Sequence, residues 1–198
     1  MNRTEKIETF EHELGLIPDG GIAKFAEDAI AQLPDYFFVV PASSTGKYHP
    51  QYSLGEGGLM RHTKAVFYIA LELLVLEQYN FEDHQVSIIL AAILLHDGRK
   101  HGEVKADGSY EKYTQALHPL YQSRALKQNR FLCSTFQPQM INEICKLIET
   151  HMGQWNKDYK THEEILPLPF TKAQKFVHLC DYLASRRFLD VDFDKITK

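Results

Sequence analysis

Ser87-Ile88-Ile89-Leu90-Ala91-Ala92-Ile93-Leu94-Leu95-His96-Asp97 is apolar on every side of a helix until its last two residues, an imidazole and a carboxylate. A helix apolar all round belongs at the centre of a core. An ionised aspartate ending such a helix is costly to bury unless a cation meets it. Related patterns recur elsewhere. His62 shares a helical face with Val66, Ile69 and Leu73, and His151 sits on the stripe of Ile144, Leu147 and Ile148. Asp181 lies on the stripe of Val177, Ala184 and Phe188, and His118 belongs to a further helical stretch. A hydrogen-bonded core histidine explains any one of these sites. The economical explanation for all of them together is that His62, His96, Asp97, His118, His151 and Asp181 converge on a metal.

Outward from this run, the periodicity predicts helices over 60–79, 84–97, 115–129, 138–152 and 171–188. Two short amphipathic helices precede them, at 5–13 and about 20–32, separated by Gly15 and the Pro18-Asp19-Gly20-Gly21 breaker. From Leu33 to Gly58, prolines, glycines and the Ser43-Ser44-Thr45-Gly46-Lys47 tract read as a long ordered loop. Asp107-Gly108, within Val104 to Tyr113, is a hairpin-turn signal and allows a small β-hairpin there. Strand signals elsewhere are weak. The fold class expected is all-α, a bundle of about seven helices, arranged as one domain over 1–198.

The length, 198 residues, is enough to bury a core without staples, and the net charge of -4 argues against a coat for duplex nucleic acid. Cys133, Cys145 and Cys180 form no CxxC pair, which favours buried thiols in a reducing compartment over a zinc knuckle. No apolar signal core follows the N-terminus and no run is long enough to span a bilayer, so a cytoplasmic location without membrane partners is expected. Imidazole plus carboxylate without thiolate suits Mn, Fe, Co, Ni or Zn, and Mg less well. His62, His96, Asp97 and Asp181 would hold one ion. His118 and His151 would anchor a second, with Asp97 bridging.

These residues resemble the HD-domain superfamily of metal-dependent phosphohydrolases. Gly57-Gly58-Leu59-Met60-Arg61-His62-Thr63 is similar to the GGL-x-x-HT opening of many members. Leu94-Leu95-His96-Asp97 with Lys100 looks like the LLHDxxK core, although Gly98-Arg99 stands where many members have Ile-Gly. His118 and His151 match the extra histidines of the two-metal branch, and Val177 to Ser185 looks like its closing helix. The likeness covers roughly 51–190, so 57–190 is read as the metal-binding core and 1–56 as N-terminal helices and loop.

The resemblance implies hydrolysis of a phosphate ester or anhydride of a nucleotide or short oligonucleotide by a metal-activated water. Asp97 would touch both metal and nucleophile, and Lys100 would neutralise charge on the transferred phosphate. Lys47, His49, Arg61, Trp155, Tyr182 and Arg186 are the substrate-binding candidates, the basic ones for phosphate and the aromatic ones for a base. His178 reads as supporting the site, and His12, His84, His101 and His162 as ordinary surface residues. A catalytically silent nucleotide-binding HD module and an HD-type di-iron oxygenase are the alternatives.

Overall fold

Helix α5, Asp83–Leu95, is the axis of the fold in the computed structural model, which describes residues 1–188. From Ser87 to Leu95 no residue is more than 5% exposed. That is the burial expected of a helix without a polar face. Even Ser87 is used twice: its hydroxyl donates to the Asp83 carbonyl and accepts from the Asp19 amide.

The other helices are laid around this axis. Helix α3 (Gly20–Ile30) and helix α8 (Pro138–Thr150) pack directly on α5, as do α4 (Gly58–Leu74) and α9 (Lys172–Ala184). Helix α4 also pairs with α9, and α6 (His118–Gln128) pairs with α8. Three short helices complete the set: α1 (Arg3–Glu8), α2 (Glu11–Gly15) and α7 (Arg130–Thr135). Phe10, Phe25, Phe37, Phe67 and Phe176 are fully buried in one continuous core. Local chemistry sets several boundaries. Asn2 and Glu5 form a capping box on α1, Thr171 and Gln174 form one on α9, and Asp19 caps α3.

The architecture is all-α, with nine α-helices among the described residues against the seven expected. The two extra have local causes. The stretch 5–13 breaks at Thr9 and Phe10, where Phe10 turns fully into the core, and α7 starts on the Asn129 cap. No strand forms at Val104 to Tyr113. Asp107 closes a turn by accepting from the Ser109 amide and hydroxyl, and the exposed flanks are joined by the Lys105 amide on the Ser109 carbonyl and the Lys105–Glu111 ion pair without a ladder. Helix α9 stops at Ala184, so Phe188, 86% exposed, is not on the stripe of Asp181.

The 33–58 segment is ordered by burial. It contains 3-10 turns at Asp35–Phe38 and Gln51–Ser53, with Tyr36, Phe37 and Phe38 in the core. Its end is tied to α9 by Tyr52, whose hydroxyl donates to the Ala184 carbonyl at 3.0 Å, and by the Arg187 amide, which donates to the Tyr48 carbonyl at 2.9 Å. Two glycines start α4. Gly57 is left-handed (φ 70°), and a Cβ on Gly58 would lie 2.3 Å from the Ser53 carbonyl oxygen. No helix among the described residues is long and apolar enough to cross a membrane.

Candidate metal centre

Two helices deliver ligand-type side chains at their C-terminal ends. His96 is the C-cap of α5 and His151 the C-cap of α8. The carbonyl end of a helix carries partial negative charge, so both termini favour a cation between them. His62 lies in the second turn of α4, His118 is the first residue of α6, and Asp181 lies in the last turn of α9. All six residues predicted from the sequence meet in one place. Five are at most 1% exposed, and the Asp181 side chain is 18% exposed.

Asp97 is the centre. Its Oδ1 lies 2.9 Å from His118 Nε2 and 3.6 Å from His151 Nε2. Its Oδ2 lies 3.4 Å from His96 Nε2 and 3.9 Å from His62 Nε2, and is also held by the Lys100 ammonium. Asp181 Oδ1 approaches from α9, 3.0 Å from His62 Nε2 and 3.8 Å from His96 Nε2. Two buried groups with metal-ligand geometry result, His62-His96-Asp97 and Asp97-His118-His151, sharing one carboxylate.

Hydrogen bonds on the far side of the rings decide what these groups can do. Nδ1 of His96, His118 and His151 each lies 2.7 Å from a backbone carbonyl, of Ile93, Gln115 and Ile148 respectively. A carbonyl accepts only, so each Nδ1 carries the proton and each Nε2 turns a lone pair inwards. This is the arrangement in which histidines ligate metals. Without a positive charge, lone pairs face carboxylate oxygens. His62 Nδ1, His96 Nε2 and Asp97 Oδ1 are buried with no hydrogen-bond partner. Each such orphan costs about 1–3 kcal/mol. Lys100 offsets one carboxylate; Asp181 and the inward lone pairs still need a cation. The residues fit a divalent ion.

The electrostatics agree. Burial lowers His62, and pushes His118 down to about 4 against the pull of Asp97, so both are neutral ligands at pH 7. Burial also acts to lower His96, but the adjacent Asp97 carboxylate overcomes it and raises that imidazole. Burial opposes ionisation of Asp97 and Asp181, yet Lys100 and His96 hold Asp97 well below the usual carboxylate range, and His62 does the same for Asp181.

The cluster opens into a pocket of about 240 Å³ lined by His49, Lys100, His118, Trp155, Asp181 and Arg186. Arg186 lies across an aromatic group, its guanidinium carbon 4.5 Å from the Tyr182 ring centre and 5.7 Å from that of Trp155. Trp155 and Tyr182 stack at 5.6 Å and 15°. The Arg186 Nε is buried with no partner. His49 is half-buried and its Nδ1 is likewise orphaned; burial pushes it down to about 3, so a neutral imidazole faces the pocket.

Two substrate candidates have other work. Arg61 donates to the Tyr52 and Leu54 carbonyls, bracing the turn before α4. Lys47 is exposed, lies 5.0 Å over its neighbour Tyr48, and does not line the pocket. In their place the pocket has Ser43, Thr114 and Ser185, small polar residues in loops that periodicity does not distinguish. His101 is not a surface residue. It is 4% exposed, with Nδ1 donating to the Glu111 carbonyl and its ring against Tyr36 and Tyr110. His178 supports the site, since its Nδ1 donates to the His151 carbonyl at 2.7 Å.

No protein-family model, curated protein or solved structure matches the chain.

Proposed function

We propose that this protein is a metal-dependent phosphohydrolase that binds two divalent transition-metal ions and cleaves a phosphate ester or anhydride of a nucleotide or short oligonucleotide. The observation that carries the reading is the pair of His/Asp groups sharing Asp97, reached through His118 and Asp181 from a pocket with cationic and aromatic walls. The likeness of Gly57 to Thr63 and of Leu94 to Lys100 to HD-domain signatures, which contain His62, His96 and Asp97, is in keeping with it.

His62, His96, Asp97 and Asp181 hold one ion, and Asp97, His118 and His151 the other. Bound metal supplies an activated water and draws charge from a phosphoryl oxygen. The protein's own residues supply the rest. Lys100, buried against Asp97 and lining the pocket, places a fixed positive charge where negative charge develops on the phosphate. Arg186 offers an unpaired Nε to a second phosphate oxygen, and His49 a neutral ring nitrogen. Asp97, held ionised, acts as an acceptor and not as an acid. The stacked Trp155 and Tyr182, with Trp155 45% exposed, give a base a flat surface at the mouth.

Elemental analysis of purified protein, followed by a turnover screen of nucleoside mono- and triphosphates, cyclic nucleotides and oligonucleotides with each candidate metal, tests the reading. Phosphate release that stops with chelator and returns with metal supports it. Full activity after complete chelation overturns the mechanism. Dioxygen consumption without phosphate release assigns the centre to an oxygenase, and nucleotide binding without turnover to a silent module.

A further inference from the structure

A cavity of about 680 Å³ lies not over the metal cluster but beside it, between the 3-10 turn Glu77–Tyr79 and α9. Its volume lies in the range of ligand clefts, about 300–1,000 Å³. Tyr79, Phe176 and Leu179 give it apolar walls, and Lys172 and Lys175 stand exposed along it. Among the described residues no carboxylate lines it, in a chain whose net charge is -4. Among the described residues neither lysine has an ion pair: Lys172 lies 4.6 Å over the Phe81 ring, and no described acidic group lines the cavity beside Lys175.

The cavity adjoins the metal pocket. Tyr182 lines the larger cavity, its stacking partner Trp155 lines the pocket, and the two rings form the partition between them. Lys172, Lys175, Leu179, Tyr182 and Arg186 recur at helical spacing along α9 and just past its end, so two cations are followed by an apolar residue, a ring and a third cation toward the metal cluster. Ten residues of helix from Lys172 to Tyr182 rise about 15 Å, longer than one nucleotide needs. Cationic groups that track a backbone, with rings on which bases stack, are how proteins hold single strands without reading sequence.

We propose that this groove is an extension of the substrate site that binds the following nucleotides of a single-stranded oligonucleotide, with one base stacked at Trp155 and Tyr182 and the onward phosphates against Lys172 and Lys175. The proposal rests on the nucleotide phosphohydrolase reading above and adds that the substrate is a strand, not a mononucleotide.

Trp155 is the only tryptophan, so its fluorescence reports on the partition directly. Quenching is titrated on the full chain with oligodeoxythymidylates and oligouridylates of one to five residues, and again on a Lys172→Ala/Lys175→Ala variant. Wild-type affinity is expected to rise about tenfold or more between one residue and four. The variant should lose that rise while holding the mononucleotide within about twofold. Its log–log salt dependence for the tetramer should flatten by about 1.4, at 0.7 per lost phosphate contact on a single strand. Affinity that does not grow with length, or a variant as length-dependent as wild type, overturns the groove even if mononucleotides bind and turn over. Failure of every length to quench or be cleaved overturns the parent reading and the groove together. A length effect confined to the deoxy or the ribo series supports the groove and names the strand.

Discussion

His118 Nε2 and His151 Nε2 lie 3.2 Å apart, and each ring already donates its other nitrogen to a backbone carbonyl. Two lone pairs at that distance, both turned toward Asp97 Oδ1, repel unless a positive charge is shared among them. The contact thus fits a cation held at the meeting point of α6 and α8.

Purified protein is expected to carry about two transition-metal ions per chain. His118→Ala or His151→Ala should lower this to about one, and His96→Ala or Asp97→Ala should strip the first site or both. Elemental analysis on protein checked for folding by circular dichroism decides it. One ion in wild type and in the His118 and His151 variants alike would make those histidines core residues.

Gly153 is the narrowest point behind the centre. A Cβ there would lie 2.2 Å from the His178 ring, and its φ of +56° is strained for other residues. Gly153→Ala must therefore push His178 off the His151 carbonyl. A loss of about 1–3 kcal/mol is expected, read from denaturant unfolding. The second metal should also bind more weakly, because His151 loses the bond that braces its backbone. Unchanged stability would show that the ring moves freely.

Arg186 and Lys47 make a matched pair of tests. Arg186→Ala removes a guanidinium with an unpaired Nε in the pocket and should raise KM about tenfold to a hundredfold, the worth of one charge-assisted hydrogen bond, with metal content retained. Lys47→Ala should leave kcat and KM alike, because that side chain lies outside. Equal effects of the two changes would contradict the assignment of the phosphate wall.

The thiols should be dispensable and mostly silent. Burial pushes the Cys145 thiol up to about 11 and raises Cys180 as well, so both remain protonated and unreactive at neutral pH, and only Cys133 is exposed. A thiol reagent at pH 8 should modify Cys133 alone in the native protein and all three cysteines in denaturant. A cysteine-free variant that folds but loses turnover would be the contrary result.

How far the chain could be read from its letters followed from how strongly each residue is constrained. The α5 run has no polar face, so its burial and the oddity of His96-Asp97 at its end were both visible. The six converging side chains were visible for the same reason. Each sits among apolar neighbours at helical spacing. His101 was not, since it follows a turn and is buried by Tyr36, which is distant in sequence. Lys47 and Arg61 could not be sorted from sequence, because a basic residue near a motif looks the same whether it faces substrate, solvent or a backbone carbonyl. The large groove on α9 was illegible, because its two lysines gain meaning only from the aromatic partition beside them.

Asp181 reaches back 119 residues to His62. A pairing of that span forms late, since the long loop must close before the contact can repay it. During synthesis the chain exposes His62, His96 and Asp97 well before α9 has left the ribosome. Any ion captured by those three alone sits in an unfinished cup, open on the side that α9 later covers. Docking of α9 would thus be the step that seals such an ion in, and the same movement would bring Tyr182 and Arg186 to the mouth. Loading and competence should therefore appear together in a refolding experiment, in the last phase.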